Sequence, residues 1–188
     1  MKKKARKRGR TPFSKRRGAT RPAGGKGARP LFSVGQGFDV HRLEPGDGVT
    51  LGSVRIACDY RIVAHSDGDV LIHALCDALL GAAGLGDIGR WFPDTDKRFE
   101  GASSRGLLRD VVRRLGRLGW RPGNVDLTLI AQVPRIAPHV EAMRLRLAKT
   151  LGLDVAAVNV KATTSEGLGF TGRKEGIAAQ AVALLRRR

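Results

Sequence analysis

Cysteine is scarce. The 188 residues hold two, Cys58 and Cys76, with no C-x-x-C spacing, which excludes a disulfide framework and a cysteine-based zinc site. No run of eighteen apolar residues occurs, and no basic stretch leads into an apolar one. Neither a membrane span nor a secretory leader is therefore expected; a bacterial cytoplasmic location is, with a plastid-type organelle as the less favoured alternative. Acidic residues are missing from Met1 to Gly35, where thirteen Lys and Arg stand. Of the net charge of +18, this tail supplies 13 and the other 153 residues supply 5, so whole-protein nucleic-acid binding does not follow from charge.

Glycine and proline fill the tail, and Phe13 is its one large apolar residue before Leu31. Such a segment cannot bury enough surface to offset the entropy of ordering. Residues 1–33 are expected to be a disordered basic tail, and 34–188 one domain. The tail's charge suits non-specific contact with RNA, DNA or anionic lipid, while its few Ser residues and lack of amphipathic periodicity argue against a transit peptide.

What is present centres on Ala64-His65-Ser66-Asp67-Gly68-Asp69 and the apolar-periodic run after it. Ser66 or Asp67 reads as an N-cap and Asp69 onward as a helix ending near Gly81, with Cys76 a small core residue. Asp69, His73 and Asp77 recur at i, i+4, i+8 and share a face beside the buried one. Upstream, Asp39-Val40-His41 lies in a strand-like stretch, where i and i+2 point the same way. One His from a nearby helix would complete an Asp-His-His set with an open fourth position, as a catalytic divalent site requires. Zinc is the first choice, with manganese or cobalt as alternatives.

Along the chain, Ser33 to Leu43 reads as a first strand and Val49 to Cys58 as the second half of a hairpin with it. A glycine-rich loop from Gly81 to Arg90 leads to Trp91-Phe92-Pro93-Asp94-Thr95-Asp96, a long polar loop of the kind that serves a ligand. A second helix is expected from a Ser103-Ser104 cap to Leu118, closed by Gly119 and Pro122-Gly123. A strand follows over Asn124 to Gln132, a helix over Pro138 to Leu151, and a strand over Val158 to Thr164. By propensity Lys174 to Leu185 is helical, although its two-residue period allows a strand. Helices interleaved with strands indicate α/β or α+β.

Past the strand ending at Thr164, Thr163-Thr164-Ser165-Glu166-Gly167-Leu168-Gly169-Phe170-Thr171-Gly172-Arg173 gathers hydroxyls, a carboxylate, glycines and an arginine. Hydroxyls and accessible amides suit phosphate oxygens, and Glu166 suits a hard cation. The segment matches neither a P-loop nor a G-x-G-x-x-G pattern.

Gly37-Phe38-Asp39-Val40-His41, the His65 to Asp69 block, Gly86-Asp87-Ile88-Gly89, Phe92 to Asp96, Asn124-Val125-Asp126, Val158 to Thr164 and Gly169 to Arg173 together resemble the 2-C-methyl-D-erythritol 2,4-cyclodiphosphate synthase family. The resemblance runs from about Gly35 to Leu185. It implies an enzyme of non-mevalonate isoprenoid biosynthesis that cyclises 4-diphosphocytidyl-2-C-methyl-D-erythritol 2-phosphate and releases CMP. It implies a mixed sheet covered by helices on one side, in a homotrimer whose sheets face the threefold axis, and a terminal strand in place of the helix that propensity favours.

By position, Asp39, His41 and His73 match the family's zinc ligands and Glu166 a second-cation ligand, magnesium or manganese. His65 and Ser66 match phosphate contacts. Asp87, Ile88 and Gly89, with Phe92, Pro93, Asp94, Thr95 and Asp96, match substrate-contacting segments. Ala131, Gln132, Val133, Pro134, Arg135, Ile136 and Ala137, with Thr163, Thr164 and Ser165, match the cytidine and phosphate site. Phe170 and Arg173 match positions near the threefold axis. The attacking 2-phosphate is already ionised, so the resemblance implies cations that neutralise and align the phosphates and no general base, with His65 and Thr164 hydrogen-bonding the developing charge. Arg135 stands where a Lys is usual, Gly167 where a Lys is common and Gln36 where a His is common.

Overall fold

The structure, a computed structural model, describes residues 30–93, 95–96 and 101–188. The tail up to residue 29 and Asp94 lie outside the described residues. Strand β1 (Phe32–Pro45) is the longest strand; it begins one residue before the expected Ser33 and runs two residues past Leu43. Its side chains alternate. Gly35, Gly37, Asp39 and His41 turn toward the helices, while Phe32, Val34, Phe38 and Val40 stay exposed on the other face.

Val49 to Cys58 does not pair with β1 as expected. It folds on itself as β2 (Val49–Leu51) and β3 (Val54–Ile56), because Gly52 and Ser53 both adopt positive φ and reverse the chain. The partner of β1 is instead β4 (Tyr60–Val63), antiparallel, with Arg42 opposite Val63.

Helix α1 (Val70–Ala82) is capped by Asp69, not by Ser66 or Asp67; the Asp69 carboxylate accepts from Ile72 N. One-turn helix α2 (Ile88–Trp91) interrupts the glycine-rich stretch. Helix α3 (Ser104–Arg117) buries Leu107, Leu108, Val111 and Leu115, and β5 (Trp120–Ile130) begins at once, so Pro122 and Gly123 lie within a strand, at a register shift. A 3-10 turn at Ala137–His139 enters α4 (Val140–Leu151), followed by β6 (Val158–Thr163), one-turn α5 (Gly169–Gly172) and β7 (Gly176–Arg187).

The last segment is a strand, and the propensity-based helix is wrong. β7 sits between β1 and β5 in the order β4-β1-β7-β5-β6 and is antiparallel to both, while β5 and β6 run parallel. Two full ladders of hydrogen bonds override the helix preference of alanine. Ala179, Ala181 and Ala183 are fully buried under α1, where small side chains let the helix lie close.

The approach is closest at β1. A Cβ on Gly35 would come within 2.1 Å of Ala78 O, and one on Gly37 within 2.0 Å of Ala74 O. Only glycine lets the strand meet the helix backbone here. The helices α1, α3 and α4 share one face of the sheet. None among the described residues is long and apolar enough to cross a membrane.

Candidate active site

The glycine contact fixes the site. With α1 seated on Gly37, His73, next to Ala74, is brought onto Asp39 and His41 at the end of the same strand face. His41 Nε2 and His73 Nδ1 are 3.0 Å apart. Asp39 Oδ2 is 3.2 Å from each. Among the described residues these three form the one set of at least three His, Cys, Asp or Glu able to share a metal ion. Ligand atoms about 2.0–2.2 Å from a tetrahedral zinc are separated by about 3.3–3.5 Å, so the observed triangle is close to one face of such a tetrahedron. One carboxylate and two imidazoles suit a divalent ion and leave a fourth position for a ligand.

Burial by itself would lower the His73 pKa, but the hydrogen bond and charge of Asp39, with Asp69 and Asp67 adding, leave it raised. The other nitrogen, Nε2, lies 2.9 Å from Ser104 Oγ and 3.2 Å from Ser66 Oγ.

The triad lines a cavity of about 360 Å³ with His65, Ser66, Ile88, Gly89 and Phe92, and with Val63, Ala64 and Leu107. Asp87 caps α2 by accepting from Arg90 N at 2.9 Å. Asp77, one turn after His73, accepts from Ile88 N at 2.7 Å and so ties α2 to α1. Burial pushes the Asp77 pKa up and outweighs that bond, with Asp87 and Asp39 adding to the rise. Pro93 and Asp96 close a turn just beyond Phe92, with Thr95 between them exposed. Asp69 is not on the site face as its spacing suggested. It is fully buried, and besides capping α1 its two oxygens accept from Gly52 N and Ser53 N.

The other expected residues form a second group. Ala131 N bonds Thr163 O at 3.0 Å, joining the ends of β5 and β6. Gln132, Val133, Pro134 and the exposed Arg135 lead from there to the buried Ile136 and to Ala137. Thr164 Oγ1 donates to Glu166 Oε1 at 2.8 Å, and Glu166 holds a φ of 51°, uncommon for a residue other than glycine. Ser165 Oγ donates to Leu168 O at 2.7 Å. Phe170 packs near Gly176, which stands opposite Arg42 in β1, and Arg173 pairs with Glu175 at 2.8 Å. None of this group lines the cavity of the triad. Both groups lie at one end of the sheet, but β6 is three strands from β1, about 14 Å at the usual strand spacing.

Ser104 and Leu107 were not expected at the site. Ser104 is 31 residues from His73, and only its place at a helix start was legible.

A mixed sheet with an Asp-His-His cleft and a hydroxyl-rich loop at the same end defines an α/β enzyme with a candidate divalent-metal site. The model of the YgbB family matches residues 32–186, and the chain belongs to that family. The 2-C-methyl-D-erythritol 2,4-cyclodiphosphate synthase of Azotobacter vinelandii is 65% identical over 152 residues, covering 81% of this chain and 97% of that protein. The enzyme of the same name from Pseudomonas aeruginosa is 64% identical over the same shares. Among solved structures, IspF of Plasmodium falciparum in a CDP complex is 34% identical with a TM-score of 0.74, covering 84% of this chain and 97% of that one. The bifunctional IspDF of Campylobacter jejuni is 44% identical with a TM-score of 0.80, and this chain spans 42% of its length. The function that goes with this membership is cyclodiphosphate synthesis, a lyase step of non-mevalonate isoprenoid biosynthesis.

Proposed function

We propose that the cleft cyclises 4-diphosphocytidyl-2-C-methyl-D-erythritol 2-phosphate to 2-C-methyl-D-erythritol 2,4-cyclodiphosphate. An oxygen of the 2-phosphate bonds to the β-phosphorus, and the bond from that phosphorus to the CMP oxygen breaks, its electron pair leaving with CMP. The observation that carries this reading is the Asp39-His41-His73 triangle opening into a cavity that also holds His65 and Ser66. Those three residues would hold zinc, which would supply charge neutralisation where anionic groups must meet.

The chain's own residues do the rest. Ser66 Oγ and the His65 imidazole offer hydrogen bonds to phosphate oxygens at the mouth, each worth a few kcal/mol where charge develops. Thr164 has a hydroxyl for the diphosphate, and Glu166 is the carboxylate for a second cation, magnesium or manganese. Residues Ala131 to Ala137 take the cytidine end, a reading supported by the CDP complex of the Plasmodium falciparum IspF.

The reading takes the second group from a neighbouring subunit, because within one chain it stands three strands away from the triad, and so includes a homotrimer. Its support is the sheet face away from the helices, where Phe38 is 50% and Val182 45% exposed beside Phe32, Val34 and Val40. A soluble monomer seldom leaves so contiguous an apolar face uncovered. Phe170 and Arg173 stand at the sheet end where such copies would converge, and the enzyme works in the cytoplasm.

Phosphorus NMR of the purified protein with substrate, Zn²⁺ and Mg²⁺ tests the reaction. Cyclic diphosphate and CMP in equal amounts are expected. Inorganic phosphate in their place would mean that water attacks, and that the cleft is a phosphoesterase.

A further inference from the structure

His73 holds its place in the triad through Nδ1, and what lies behind its other nitrogen decides whether Nδ1 can serve. Ser104 opens α3, is fully buried, and has Oγ 2.9 Å from His73 Nε2. The same hydroxyl lies in a short hydrogen bond to Asp67 Oδ1. A carboxylate oxygen accepts, so the Ser104 proton points to Asp67 and its lone pairs are left to receive His73 Nε2–H. The Ser104 backbone N–H adds bonds of 3.2 and 3.1 Å to the two oxygens of Asp67, which clamps serine and carboxylate together and replaces the side-chain cap that Ser103 does not give α3. In the neutral ring a proton on Nε2 leaves Nδ1 bare, and Nδ1 is the atom facing Asp39 and His41.

We propose that Asp67 and Ser104 form a hydrogen-bond relay that positions His73, holding the neutral tautomer and ring orientation in which Nδ1 binds the metal. The inference rests on the metal reading of the triad. Ser66 is the competing partner, since its Oγ lies 3.2 Å from the same Nε2. It also accepts Gly68 N–H at 3.2 Å and is less buried, so it is the weaker anchor. With Ser104 as the partner, Ser66 keeps its hydroxyl for phosphate at the cavity mouth. The relay also ties α3 to a ligand on α1, and its loop is pinned further by Asp67 N to Ala102 O and Gly101 N to His65 O.

The test uses full-length protein stripped of metal and titrated with Co²⁺, read by its visible spectrum, and zinc-loaded protein read by proton NMR. Outer partners of metal-bound histidines are worth about 10- to 100-fold in affinity. Ser104→Ala should lose about that much, Asp67→Asn should lose less because its amide oxygen still accepts from Ser104, and Ser103→Ala should match the wild type. The His73 Nε2–H proton should exchange slowly with water in the wild type and too fast to observe in Ser104→Ala. Melting of the metal-free variants separates loss of fold from loss of positioning, and should Ser104→Ala not fold, Asp67→Asn carries the test by its lowered affinity and faster Nε2–H exchange. Wild-type affinity and slow exchange in folded Ser104→Ala, or in folded Asp67→Asn where the alanine variant does not fold, would overturn the relay alone. A wild type that does not bind Co²⁺ would overturn the metal reading beneath it.

Discussion

His41 Nε2 and His73 Nδ1 face each other across 3.0 Å, one carried by a strand and the other by a helix 32 residues later. Two imidazole nitrogens and the Asp39 carboxylate at this spacing are close to what a tetrahedral ion needs, and a distance this short depends on how closely α1 lies against β1. That closeness comes from glycine, whose missing side chain lets Ala74 O approach the β1 backbone at Gly37.

Gly37→Ala should therefore damage two properties at once. Its Cβ would stand 2.0 Å from a backbone oxygen, which has no flexible end to yield. The helix must shift, at a cost of about 1–3 kcal/mol typical of overpacking, and the shift pulls His73 away from Asp39. Thermal melting should show the loss of stability, and a Co²⁺ titration a weaker site.

Replacing a ligand should be worse for chemistry than for folding. A divalent ion that neutralises developing charge is worth several kcal/mol, so His73→Ala should lower turnover by about a hundredfold or more. The substitution removes a partly buried group, and the melting temperature of the metal-free protein should change little beside that loss. Enzyme kinetics and melting on one preparation compare the two.

Asp69 makes stability depend on pH in an unusual direction. Burial outweighs three backbone N–H bonds and raises its pKa from 3.8 to about 6. The native state then binds the proton more tightly than the unfolded chain, so the stability this group contributes is full below about pH 4 and is lost as pH rises to about 6, by up to about 3 kcal/mol. Urea unfolding of wild type and Asp69→Asn between pH 4 and 7 should show the wild type losing ground to the variant across this window. A constant difference would contradict it.

The apolar sheet face gives a prediction about assembly. Val182→Glu places a charge at a half-exposed position in the middle of β7, where a monomer would tolerate it. Sedimentation should show trimers for the wild type and monomers for the variant, and turnover should fall with the trimer although the triad is untouched.

Much of the site was legible because its residues obey local periods. Asp39 and His41 share a strand face at i and i+2, and His73 sits one helical turn beyond Asp69. Three features escaped those periods. Asp67 read as a cap of its own helix, whereas its carboxylate reaches Ser104, 37 residues on. Asp69 fell on the site face by spacing, but the β2–β3 turn supplies two N–H groups that draw it into the core. The alanine-rich end looked helical, and only pairing along both edges makes it a strand. Each is a contact between segments distant in sequence, which no window of neighbouring residues contains.

On the proposed reading, Asp39, His41 and His73 hold the ion that lets two phosphates react. The most direct test of this claim is a zinc titration of metal-stripped protein at fixed Mg²⁺, following CMP release, with His73→Ala beside it. Turnover should begin near zero, rise with zinc and level off at one ion per chain, and the variant should stay flat over the same range. Full turnover by the metal-stripped wild type would contradict the claim.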